Sequence, residues 1–127
     1  MGIGLGTDIV DIARLERLIA VGDQVFLARW FTPEERAYCS GKARPAAHYA
    51  ARLAAKEAVA KALAWQWTGP VPWRDIEIRH GPTGAPVVRL SGKVEELAAA
   101  RSVTGITVSL SHAQGHATAV AIAAMAG

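Results

Sequence analysis

Arg52-Leu53-Ala54-Ala55-Lys56-Glu57-Ala58-Val59-Ala60-Lys61-Ala62 is the stretch on which the fold turns. It lies within Pro45 to Trp65, a run of alanine and strong helix formers with neither glycine nor proline after Pro45. That composition predicts one long helix. Small side chains let neighbouring elements approach closely, so the helix is expected at the centre of the fold. Its charged residues then need partners or a ligand, because a buried unpaired charge is costly. Glu57 and Lys61 are four apart and share one face, while Arg52 and Lys56 share another. On an exposed helix such a pair would be worth roughly a few tenths of a kcal/mol. On an Ala-rich helix with little free surface, one acid among several bases suits a metal–phosphate ligand.

Working outward, residues 3–11 alternate around Ile3, Leu5, Thr7 and Ile9 and predict a strand. Ile12, Leu15, Leu18 and Ile19 follow at helical spacing, with Asp11 as the cap and Gly22 as the stop. Thr32, Pro33 and Glu35 form the signature of a helix start with a capping box. After the long helix comes a loop, WTGPVPW. RDIEIRH and APVVRL then read as two strands joined by a GPTG turn. SGKVEELAAAR predicts a short helix capped by Ser91. ITVSLSH and HATAVAIAA read as two final strands around an Ala-Gln-Gly turn. The alanines of 117–124 are compatible with close packing against a neighbour. The expected fold is α+β, a mostly antiparallel sheet packed against a long Ala-rich helix, in a single domain over 1–127.

The chain has 127 residues, 51% hydrophobic and 20% charged, which argues against disorder. No apolar run is long enough to span a bilayer, and the N-terminus lacks the basic region of a signal peptide. Cys39 is the single cysteine, so no internal disulfide framework is expected, and the expected location is the cytoplasm. The net charge is only +3, but it is concentrated. Residues 41–61 hold Lys42, Arg44, Arg52, Lys56 and Lys61 against Glu57 alone. Such a segment points to an anionic ligand.

Several motifs are set aside. Gly2, Gly4 and Gly6 do not form G-x-G-x-x-G, and more simply let another backbone approach the strand. His112 and His116 flank a turn containing Gly115 with no third ligand nearby, a poor zinc site. Magnesium, by contrast, takes one or two carboxylates with phosphate oxygens and waters. Glu57 can supply one carboxylate and Asp8, on the first strand, the other. The bases then hold the remaining phosphate charge.

These segments resemble the holo-acyl-carrier-protein synthases, the small 4'-phosphopantetheinyl transferases. Gly6-Thr7-Asp8-Ile9 matches the family's opening strand, followed by Val10-Asp11-Ile12-x-Arg14. Arg52 to Ala62 matches R-F-A-A-K-E-A-x-x-K-A, and Ile106 to His112 matches h-x-V-S-h-S-H, where h is apolar. Leu53 stands where an aromatic is usual, and Ala64 to Pro70 replaces a Gly-Thr-Gly turn. The resemblance implies transfer of 4'-phosphopantetheine from coenzyme A to a serine of an apo acyl carrier protein, releasing adenosine 3',5'-bisphosphate. It implies Mg2+ on Asp8 and Glu57, with Glu57 and Lys61 as catalytic residues. Glu35 is explained by its capping box and is not the expected base. Arg52, Lys56, Lys61, His112, Lys42 and Arg44 are expected on coenzyme A, with Arg52 and His112 on its 3'-phosphate. Arg14, Phe26 and Arg29 are expected to dock the acidic carrier helix, whereas Arg17 reads as a surface residue. The short length fits a homotrimer with active sites at subunit interfaces, with no membrane or nucleic-acid partner.

Two other readings are carried forward. A nucleic-acid-binding module would use the 41–61 bases, but Trp65, Trp67 and Trp73 sit in a Pro-containing loop, not among bases on a sheet. A non-catalytic trimeric scaffold would have no use for Asp8, Glu57 and Lys61 together.

Overall fold

A computed structural model describes residues 2–64 and 71–127. The order is β1 (Gly2–Asp11), α1 (Ile12–Trp30), α2 (Pro33–Ser40), α3 (Pro45–Ala62), a 3-10 turn (Trp73–Asp75), β2 (Ile76–His80), β3 (Pro86–Leu90), α4 (Gly92–Ala100), β4 (Val103–His112) and β5 (His116–Met125). One antiparallel sheet runs β1-β5-β4, and β2 and β3 form a separate hairpin. This is the expected mix of helix and antiparallel sheet. The long helix expected to reach Trp65 ends at Ala62 with Leu63 as its cap, and the start of the predicted loop, with most of the altered 64–70 turn, lies outside the described residues.

Two features of the sequence put α3 at the centre. The first is its alanine content: fourteen of its residues are buried, and it runs through both hydrophobic clusters. The second is the pair of glycines on β1. A Cβ at Gly4 or Gly6 would fall on the carbonyl oxygen of Ala62 or Ala58, so only glycine lets the strand lie this close to the helix. Ala117, Ala119, Ala121 and Ala123 of β5 press on the same core and are at most 1% exposed. The close packing expected of this strand is therefore against its own α3. Its other face, with β1, leaves Ile3, Leu5, Ile9, Val120 and Ile122 exposed.

The helix ends follow local chemistry. Asp11 caps α1 by accepting from Arg14 N at 3.2 Å. Thr32 and Glu35 complete the capping box of α2. Two expectations need correction. The helix predicted to stop at Gly22 is interrupted at Asp23 (φ 49°, ψ −135°) and resumes to Trp30. Leu27 and Phe26 drive the resumption by joining the α1–α3 core. Ser91 precedes α4, but its side chain caps nothing. Asp75 does that work instead, accepting from Lys93 N at 3.0 Å.

Candidate active site

Close approach of β1 to α3 sets Asp8 beside Glu57. The two carboxyl groups lie within hydrogen-bonding reach, and Glu57 is pushed up from its ordinary value to about 8. Burial is the largest cause, followed by the hydrogen bond and repulsion from Asp8, against which Lys61 and Arg14 act weakly. Asp8 Oδ2 is buried and receives no donor while Glu57 is ionised. Lys61 holds the other oxygen, donating to Asp8 Oδ1 at 3.1 Å and to Thr7 O at 2.9 Å, with its side chain 56% exposed.

A divalent cation fits these residues. Two carboxylates that repel each other, one with an orphaned buried oxygen, gain most from a cation between them. Among the described residues no group of three or more His, Cys, Asp or Glu is placed to hold a metal ion. That donor set would not cage zinc. It suits a hard cation that completes its shell with water and phosphate.

Five residues along α3, about 140° round the helix, Arg52 serves a different pocket of ≈ 280 Å³ lined also by Tyr38, His48, His80, Ser109, Ser111 and His112. Arg52 is 4% exposed, with no acidic partner among the described residues, and its Nε is buried without a hydrogen bond. A buried guanidinium in that state needs an anion. His48 stacks edge-on against His112, at 5.5 Å between centroids. Burial, then the neighbouring His112 and Arg52, lowers the His48 pKa. Lys42 lies over the Tyr38 ring at 4.3 Å, at the edge of the same cluster.

The whole pattern, from β1 to β5, matches one family description, the 4'-phosphopantetheinyl transferase superfamily, over residues 4–121. The chain belongs to that superfamily. It is 46% identical over 119 residues to the holo-[acyl-carrier-protein] synthase of Syntrophus aciditrophicus, covering 94% of this chain and 93% of the relative. It resembles the crystal structure of the Neisseria meningitidis holo-[acyl-carrier-protein] synthase with a TM-score of 0.86 at 32% identity, covering 95% and 97% of the two chains. It also resembles the Helicobacter pylori enzyme in complex with coenzyme A, with a TM-score of 0.82 at 32% identity and coverage of 94% and 99%. No helix among the described residues is long and apolar enough to cross a membrane.

Within this transferase fold the remaining expected site residues separate. Lys56, expected on coenzyme A, is the clear correction. Its ammonium is fully buried, paired with Glu35 at 2.8 Å and donating to Trp73 O and Ile76 O. All three donors are used inside the protein, so Lys56 ties α3 to α2 and β2 and does not reach a ligand. Glu35 in turn accepts from Thr32 N and Ile78 N, each at 2.9 Å. Arg44 turns from the Arg52 pocket to donate to Gln114 O at 3.1 Å. Arg14 and Phe26 line an apolar cleft of ≈ 180 Å³ with Leu18, Trp30, Leu53 and Glu57. Arg29 faces a separate cleft with Pro72, Trp73 and Arg74. Sequence reasoning missed His80 and Tyr38 around Arg52, because they lie on other segments, and also His48, which its i,i+4 spacing to Arg52 on α3 could have found.

Proposed function

We propose that this chain transfers 4'-phosphopantetheine from coenzyme A to a serine hydroxyl of an apo acyl carrier protein, releasing adenosine 3',5'-bisphosphate. The observation that carries the reading is the facing pair Asp8 and Glu57 with Lys61 on Asp8. The reaction needs charge neutralised on a pyrophosphate and a proton removed from an alcohol. Mg2+ on Asp8 and Glu57 would supply charge neutralisation at the phosphate oxygens when bound. Lys61, half exposed beside Asp8, offers its remaining donor to the same oxygens. The serine oxygen bonds to the β-phosphorus as the bond to the bridging oxygen breaks, and the leaving bisphosphate keeps that oxygen. Glu57 takes the serine proton. The Arg52 pocket, with His112 and Lys42 at its margin, holds the 3'-phosphate. The cleft of Arg14 and Phe26 opens onto Glu57 and receives the carrier, while Arg29 meets it from the separate cleft it shares with Pro72 and Trp73.

The chain works as a homotrimer, one domain per subunit, in the cytoplasm. Two observations support shared sites. The Arg52 pocket and the Glu57 cleft have no lining residue in common. The outer face of β1 and β5 exposes five large apolar side chains, more than an uncovered sheet face usually leaves bare. Neighbouring copies cover that face and bring one subunit's Arg52 to another's Glu57.

Chromatography of reaction mixtures tests the chemistry. Adenosine 3',5'-bisphosphate should accumulate only when this protein, coenzyme A, Mg2+ and an apo carrier are all present. Release without a carrier would indicate hydrolysis instead.

A further inference from the structure

Arg52 enters its pocket from α3, and groups from two other elements hold it there. Its NH2 lies 3.1 Å from His80 Nδ1, at the end of β2. A guanidinium only donates, so Nδ1 carries the lone pair and the ring proton sits on Nε2. That proton is donated to Tyr38 Oη at 3.0 Å, from α2. The Tyr38 ring stacks on the imidazole at 4.4 Å with an interplanar angle of 29°. The guanidinium lies 4.2 Å from the centre of the same ring. No carboxylate among the described residues pairs with Arg52, so its direction rests on these two neighbours.

We propose that His80 is a positioning residue for recognition of the coenzyme's terminal phosphate: neutral and protonated on Nε2, it holds Arg52 with its unpartnered edge toward the pocket, and Tyr38 fixes the tautomer. This rests on the reading that the Arg52 pocket receives the 3'-phosphate. The titratable and charged groups around His80 are Tyr38 and Lys42 from α2 and its turn, His48 and Arg52 from α3, and His112 from β4. Burial, then the charges of Arg52 and Lys42, holds the imidazole pKa below its ordinary value, which favours the neutral form. Protonation would turn an N–H toward the guanidinium and release it.

The test compares KM and kcat for coenzyme A and 3'-dephospho-coenzyme A in the wild type, Arg52→Ala, His80→Ala and His80→Asn. The wild type should favour coenzyme A. His80→Ala should raise KM for coenzyme A about tenfold, leaving kcat and the KM for the dephospho form unchanged. His80→Asn, whose side-chain carbonyl can still accept from Arg52, should recover most of the loss. The wild-type preference should fade as pH drops below the ordinary histidine range, and that of His80→Asn should fade less. His80 lies at a strand end, and melting curves confirm folding of each variant. The positioning role is overturned if Arg52→Ala abolishes the preference while His80→Ala leaves it intact or raises both KM values alike. A wild type that treats both donors alike overturns the phosphate reading with it, and one that transfers from neither overturns the proposed reaction as well.

Discussion

Asp8 of β1 and Glu57 of α3 face each other carboxyl to carboxyl, brought together because Gly4 and Gly6 let the strand rest on the helix backbone. Fold and site are thus one arrangement. The glycines that place the strand are neighbours of the acid that the strand delivers.

This contact makes a strong demand on Gly6. Gly6→Ala would set a methyl group on the carbonyl oxygen of Ala58. Overpacking against backbone costs about 1–3 kcal/mol or more, and the strand can escape only by lifting Asp8 away from Glu57. Denaturant melts should therefore show lost stability, and the variant should lose transfer activity along with it. An active, fully stable Gly6→Ala protein would contradict the packing described.

The carboxylate pair predicts a pH-dependent stability. Folding raises the Glu57 pKa from 4.5 to about 8, so the fold favours the protonated acid. Its contribution is fully present below about pH 4.5 and is lost as pH rises through about 8. In EDTA, the melting temperature of Glu57→Gln should gain on the wild type by a few degrees between pH 5 and pH 9. Added Mg2+ should close that gap by stabilising the wild type alone. Parallel melting curves for the two proteins across this range would remove the predicted coupling.

Lys56 and Glu35 form a fully buried ion pair at 2.8 Å. Removing one partner strands the other charge, so Lys56→Met should destabilise by about 3–5 kcal/mol. Replacing both, Lys56→Met with Glu35→Gln, should cost less than that single change. Urea melts of the two singles and the double measure the coupling.

Shared sites predict complementation. At low coenzyme A, Asp8→Ala and Arg52→Ala should each show little or no transfer, because each lacks one half of every site. Mixed and exchanged, they should regain a fraction of wild-type activity, since some interfaces then combine an intact Asp8 with an intact Arg52. Continued inactivity in mixtures that demonstrably exchange subunits would place both halves within one chain.

Much of this was legible in the sequence. The alanine run forecast a central helix, the spaced glycines a close backbone approach, and Thr32-Pro33-x-Glu35 a capping box. Asp8, Glu57 and Lys61 could be picked out by spacing and charge. What escaped depends on long-range contacts. Lys56 and Arg52 share a helix face and a charge, yet one is paired 21 residues away to Glu35 and the other is left without an acid. Nothing local distinguishes them. The Tyr38, His80 and Arg52 contacts join three segments that only tertiary folding brings together. The second half of α1 was hidden behind Gly22, a true interruption that local rules read as an end.

The measurement that tests the central claim most directly is the intact mass of an apo acyl carrier protein after incubation with this chain, coenzyme A and Mg2+. The account predicts a gain of one phosphopantetheine on the carrier, lost with Asp8→Ala, with Glu57→Ala and with EDTA. An unchanged carrier mass from a folded sample, or a gain that survives loss of both carboxylates, would contradict it.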